Sequence, residues 1–290
     1  MKRALVLLAL ALLAGCGGDE GGGSVVATTT QVADLARNVA GERAEVAGIL
    51  TPNADPHGYE PRARDVKRLV GAKVVLRSGG EVDAWLEEAR RSAGSDAHVV
   101  TLGERTGEEP HWWQDPRAAI AAVGRIRGAL TEADPGGKTE YAANADRYVA
   151  RLRALDRAVA RCIATIPPAR RKLVTTHDAL GAYARRYGLE VIATVIPSRS
   201  TRGQASAGET AELVRTIRRE KVPAVFAESS VRADVERAIA REAGAGVSPP
   251  LWADSLGPEE SPGATYVGSI EANTHTIAEA LGGDLGRCPA

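Results

Sequence analysis

The chain has 290 residues, 44% of them hydrophobic, with 37 Lys and Arg against 37 Asp and Glu. That much apolar material can core one large domain or two ordinary ones, which excludes a disordered chain. A balanced charge argues against nucleic acid as the partner, and none is expected.

The N-terminus reads Met1-Lys2-Arg3 and then an unbroken apolar run from Ala4 to Ala14, the pattern of a secretory signal. Eleven apolar residues are too few for a comfortable membrane-spanning helix. The run ends in Leu13-Ala14-Gly15-Cys16, which resembles the lipobox of bacterial lipoproteins. Residues 1–15 are therefore expected to be removed, leaving Cys16 as a lipidated N-terminus that holds the protein on the extracytoplasmic face of the cell membrane. Residues 16–24 are glycine-rich and form a flexible tether with a reach on the order of 15 Å. Loss of Lys2 and Arg3 leaves 35 basic against 37 acidic residues. An exported chain matures where disulfides persist, so Cys162 and Cys288 are predicted to pair.

From Val25 onward, short apolar runs alternate with stretches of helical period. Strands are predicted at 25–28, 45–50, 74–77 and 98–102, with helices at 31–40, 62–70, 82–93 and 116–129. Tyr141, Ala145, Tyr148, Leu152, Leu155, Val159 and Ile163 then mark one face of a long helix, preceded by Gly136-Gly137 and stopped by Pro167-Pro168. It would run about 40 Å, the length of a small domain. A coiled-coil seam is the alternative for this stripe, but the pattern lasts only about four heptads, so a monomer is expected. Further strands are predicted at 172–176, 190–196, 224–227 and 266–268, and helices at 179–187, 207–220, 231–243 and 269–281. The expected fold is α/β, with two lobes, each a mainly parallel sheet covered by helices, joined by one long rigid helix. The boundaries would be 25–137 for the N-terminal lobe, 138–166 for the helix, 167–284 for the C-terminal lobe and 285–290 for a tail.

Only five histidines occur: His57, His98, His111, His177 and His275. His57 closes the loop after the strand ending at Leu50, His111 ends the loop leaving the 98–102 strand, and His177 directly follows Thr176. Ligands of open parallel sheets bind beyond the carboxyl ends of strands, where these three meet. Glu228 and Asp254 face the same edge, and position alone leaves both open as the carboxylate. His98 opens a strand and His275 lies within a helix, so both are set aside as structural or exposed. Three imidazoles and one carboxylate suit a first-row divalent ion: Zn²⁺ with four ligands, Mn²⁺ or Fe²⁺ if the carboxylate binds through both oxygens. Metal-bound imidazoles usually donate their second nitrogen to a carboxylate or carbonyl. Asp55, Asp115, Asp178 and Glu228 are the candidates for this, with surface charge or helix capping as the plainer alternative. Imidazole must be deprotonated to bind, so affinity is expected to fall as pH drops through about 6.5. Alanine at His57 or His177 is expected to weaken binding strongly and leave the metal-free fold nearly intact.

Five segments carry a resemblance: Asp55-Pro56-His57-Gly58-Tyr59-Glu60-Pro61, Pro110-His111-Trp112-Trp113-Gln114-Asp115-Pro116, Thr176-His177-Asp178-Ala179-Leu180-Gly181-Ala182-Tyr183, Val225-Phe226-Ala227-Glu228-Ser229-Ser230 and Trp252-Ala253-Asp254-Ser255-Leu256. In order and spacing, from about Val25 to Leu281, the chain resembles the zinc- or manganese-specific solute-binding lipoproteins of ATP-binding-cassette importers. The resemblance implies a non-enzymatic protein that captures a divalent metal outside the cytoplasm and delivers it to a membrane permease. It implies metal ligands at His57, His111, His177 and Asp254, with Glu228 a neighbouring supporting group, and a long helix that keeps motions on metal release small. His177 stands where manganese-binding relatives often carry glutamate, which favours zinc, although three-histidine, one-aspartate sets also resemble members that accept both metals. Residues 103–109 lack the histidine-rich loop of many zinc-specific members, which weakens a zinc-scavenging role. A manganese- or iron-specific protein is the alternative within the family. Outside it stand a zinc-dependent hydrolase, which would keep one coordination position for water beside a general base, and an adhesin or structural lipoprotein, for which no host-binding feature is evident.

Overall fold

The computed structural model describes residues 25–103 and 109–289. The signal, Cys16 and its tether, and residues 104–108 of the segment before His111 lie outside them. Among the described residues no helix is long and apolar enough to cross a membrane.

The first lobe is a four-stranded parallel sheet of β1 (Val25–Ala27), β2 (Val46–Gly48), β3 (Val74–Arg77) and β4 (His98–Thr101), in the order β2-β1-β3-β4. The two central strands, β1 and β3, are short, valine-rich and buried, as in sheets covered on both faces, while the edge strands β2 and β4 are only partly buried. Helix α1 (Thr30–Ala40) starts at Thr29, whose side chain accepts the Val32 N–H, and ends at Gly41, whose φ of 60° a side chain would resist. Helices α2 (Ala63–Val70) and α3 (Leu86–Ala93) flank the sheet. The stretch predicted as one helix over 82–93 is instead a 3₁₀ turn, Gly80–Asp83, followed by α3. Asp83 explains the break, because its buried carboxylate accepts Thr28 Oγ1 and the Gly79 N–H and so favours a turn there.

Helix α4 (Pro116–Ala133) begins with Asp115 as cap and proline at its first position. It leads into α5 (Lys138–Ile163), 26 residues long. All seven stripe residues of α5 are buried in the main hydrophobic core beside residues of α1 and α4. The stripe is filled within the molecule, which leaves no seam for a coiled-coil partner. A disulfide joins Cys162, at the end of α5, to Cys288.

The second lobe contains β5 (Lys172–Thr175), β6 (Glu190–Thr194), β7 (Ala224–Val225) and β8 (Gly246–Val247), paired β5-β6 and β7-β8, all parallel. A bridge between Thr175 and Phe226 links the pairs into the order β6-β5-β7-β8, so this lobe repeats the strand order of the first. Helices α6 (Gly181–Tyr187), α7 (Ala207–Glu220) and α8 (Asp234–Ala243) make the crossovers. Val174, Val195, Leu213, Ile217, Val225 and Ile239 form a separate small core there. The two-residue β8 was not expected. The strand predicted at 266–268 is also absent: Tyr266 opens α9 (Tyr266–Leu281), because the Thr265 hydroxyl caps it by accepting the Gly268 N–H. Tyr and Val favour strands intrinsically, but the cap and the apolar helical face that follows override that preference.

Candidate metal centre

In both sheets the strand order places neighbouring carboxyl-end loops on the edge where the two lobes meet. His57 follows β2, and its loop is fixed by the Asp55 carboxylate, which accepts the His57 N–H at 2.9 Å and the Thr201 hydroxyl of the opposite lobe at 2.6 Å. His111 is anchored from both sides. Trp112 donates to the Ser78 carbonyl, and Trp113 packs edge-on against the His111 ring, with centroids 5.5 Å apart. His177 leaves β5 directly, and Asp254 follows Leu251, which bridges to Glu228.

The structure brings His57, His111, His177 and Asp254 together. One ligand atom from each lies within 4.8 Å of all the others, and no side chain of the four is more than 6% exposed. His57 Nε2 and His177 Nε2 stand 3.2 and 3.1 Å from Asp254 Oδ2, His111 Nε2 stands 3.3 Å from Oδ1, and the Nε2 atoms of His57 and His111 are 3.3 Å apart. Ligands of a tetrahedral ion are separated by about 1.63 bond lengths, or about 3.3 Å for zinc bonds of 2.0–2.1 Å. These separations match that edge. Despite their closeness, both Asp254 oxygens and His177 Nε2 have no hydrogen-bond partner. Buried polar atoms without partners are costly, and their convergence on one point fits a cation there.

Burial and charge divide the protons of the site. Burial outweighs the attraction of Asp254 and pushes His111 down to about 3, so it is neutral and ready to ligate. For His177, burial acts in the same direction, but the charges of Glu228 and Asp254 and the hydrogen bond to Glu228 overcome it and push it up to about 11. Burial likewise opposes ionisation of Asp254, yet the neighbouring imidazoles hold it below the usual carboxylate range. Glu228 is raised by its burial, with His177 acting against the shift. Without metal the cluster thus keeps a proton on His177, between two carboxylates.

The four carboxylates weighed from sequence have different positions. Glu228 accepts His177 Nδ1–H at 2.9 Å, which leaves Nε2 turned to the centre. Asp55 supports the His57 backbone, not its ring. Asp115 caps α4 by accepting the Arg117 N–H, and Asp178 is partly exposed with Arg199 3.9 Å away, so neither meets one of the three clustered imidazoles. Sequence reading missed Glu109, whose carboxylate accepts the His111 N–H at 3.3 Å and also pairs with Arg185. It also missed Gln31, Trp113 and Gln114, which all donate to the Ala253 carbonyl next to Asp254. The Trp-Trp-Gln sequence after His111 was visible, but nothing local tied it to a residue some 140 positions away. His98 is exposed at the start of β4, and His275 lies in α9 with Nε2 3.0 Å from the Pro289 carbonyl.

Residues 25–280 match the family model described as zinc-uptake complex component A, periplasmic. The chain is 32% identical to the manganese-binding lipoprotein MntA of Bacillus subtilis, over 96% of this chain and 98% of that one. It is 31% identical to the iron-binding protein YfeA of Yersinia pestis, over 89% and 86%. The structure of the periplasmic zinc-binding protein TroA from Treponema pallidum superposes with a TM-score of 0.83 at 30% identity, covering 90% of this chain and 99% of that one. The chain belongs to the family of periplasmic zinc-uptake component A proteins, metal-binding proteins of two α/β lobes.

Proposed function

We propose that this protein captures a single divalent transition-metal ion outside the cytoplasm, with zinc preferred and manganese also accepted, and delivers it to the permease of an ATP-binding-cassette importer. The ligands are His57, His111, His177 and Asp254, and the observation that carries the reading is the convergence of their buried ligand atoms within 4.8 Å of one another, with His177 Nε2 and both Asp254 oxygens left without a hydrogen-bond partner. The ion is cargo. The chain is organised as a lobe of residues 25–137, a connecting helix of 138–166 and a lobe of 167–284, and acts as a monomer. Lipidation at Cys16 keeps it at the membrane, beside the importer that receives the ion.

A hydrolytic role fits less well. Four protein ligands close a tetrahedral sphere, and Glu228 meets His177 at Nδ1, on the far side of that ring from the centre, where it does not reach a water held there.

The proton on His177 gives a test. Zinc needs its bare Nε2, so uptake displaces that proton, and with the group raised to about 11 the competition operates throughout the neutral range. Affinity should therefore fall about tenfold per pH unit as pH drops from 8 to 6. The onset is higher than the value near 6.5 expected from an isolated imidazole. Calorimetry at pH 7.5 in buffers of differing ionisation enthalpy should read about one proton released per ion. Zero release, or an affinity that is flat from pH 8 to 6, would refute this assignment.

A further inference from the structure

We infer that Gln114 and Trp113, with Gln31, are specificity-determining positioning residues. By gripping the Ala253 carbonyl they hold Asp254 with both carboxylate oxygens toward the imidazoles, which lets the site accept ions that need more than four ligand atoms. The inference rests on the reading of this cluster as the cargo site.

Trp113 Nε1 and Gln114 Nε2 donate to the Ala253 oxygen at 2.9 and 2.7 Å, enough to occupy both lone pairs of a carbonyl, and Gln31 Nε2 flanks it at 3.4 Å. All three side chains are 1% exposed, so these bonds do not compete with bulk water. The peptide group is planar, so fixing that oxygen also fixes the Asp254 nitrogen and Cα. The flanking peptides are tied as well. Asn273 of α9 accepts the Trp252 N–H and donates to the Trp252 carbonyl, both at 2.9 Å. Thr30 Oγ1 accepts the Leu256 N–H at 2.8 Å, and the Asn53 N–H donates to the Leu256 carbonyl at 3.0 Å.

The Asp254 carboxylate itself accepts no hydrogen bond. Its orientation is therefore set by the imidazoles that face it and by the backbone beneath it, and the Ala253 grip controls the second. In the orientation observed, Oδ2 faces His57 and His177 while Oδ1 faces His111. Zinc completes a tetrahedron with one of these oxygens. Manganese, which favours oxygen donors and higher coordination, draws on both. The grip also couples two ligands, because Trp113 and Gln114 lie two and three residues after His111.

The test uses Gln114→Met, which keeps the length of the side chain and removes the donor, with Trp113→Phe as a second variant. Each stripped protein is first checked for folding by thermal denaturation, then titrated with Zn²⁺, Mn²⁺ and Co²⁺. Loss of a group that orients a ligand typically costs 10–100-fold in affinity. That loss is expected for Mn²⁺, with less than about tenfold for Zn²⁺. The visible bands of bound Co²⁺ should intensify as coordination falls from five to four, a signature that a general loss of stability would not produce. Cobalt carries the test whichever ion the parent prefers. Equal weakening for zinc and manganese, or none, with unchanged cobalt bands in both variants overturns the inference alone. A parent chain that binds none of the three ions removes the cargo reading, and this inference with it.

Discussion

His57→Ala is expected to weaken zinc binding by about a hundredfold or more while leaving the metal-free protein folded. Four-ligand protein zinc sites typically bind with about 10–16 kcal/mol at neutral pH, so one of four ligands accounts for roughly 3 kcal/mol, which is more than two decades in Kd. His57 is the clean position for this experiment. Its Nδ1 has no hydrogen-bond partner, so truncation leaves no other group stranded except at the centre. His177 differs from the expectation drawn from sequence. Its imidazole sits 2.9 Å from Glu228 and 3.1 Å from Asp254, both buried, and alanine would leave two carboxylates without their cation. Removing one partner of a buried charge pair typically costs about 3–5 kcal/mol, so His177→Ala should lower the stability of the metal-free protein as well as its affinity. Competition titration with a chromophoric chelator and thermal denaturation of the stripped variants read the two effects separately. An unchanged Kd in His57→Ala would remove that residue from the ligand set.

Replacing Cys162 and Cys288 together by serine is expected to cost about 2–5 kcal/mol of stability. The bridge spans 126 residues of sequence and closes the end of α5 onto the chain beyond α9. For a loop of that length the chain-entropy estimate is about 5 kcal/mol at 25 °C, a large fraction of the about 5–15 kcal/mol typical of a folded domain. Urea denaturation of the double variant should show a lower midpoint with one metal bound per chain as before. A midpoint equal to that of the parent would contradict the expected contribution.

Much of the architecture was legible because local and tertiary signals agree. The β-branched run Val74–Arg77 is a strand at its predicted bounds, and the Ser206/Glu209 capping box starts α7 at Ala207 as its helical period suggests. The stripe from Tyr141 to Ile163 announced α5 because a single helix face must be apolar to cross the whole core. The misreadings came where one hydrogen bond decides. The Thr265 cap turns Tyr266 into a helix start, and the Asp83 turn splits the segment before α3. Placement after parallel strands put His57, His111 and His177 at one sheet edge, where the structure brings them together, but it could not choose between Glu228 and Asp254. Their roles differ only in three dimensions: Asp254 faces three Nε2 atoms, whereas Glu228 faces the far nitrogen of His177. The Ala253 grip was illegible for the same reason, since its donors come from α1 and from the turn after His111.

X-ray absorption at the zinc edge, on protein stripped and reloaded with one equivalent of Zn²⁺, reads the ligand set of the bound ion. A shell of three imidazole nitrogens and carboxylate oxygen at about 2.0–2.1 Å is expected, with the outer-shell scattering of three histidine rings. A shell dominated by water oxygens, or one with fewer than two imidazoles, would contradict the proposed ligand set.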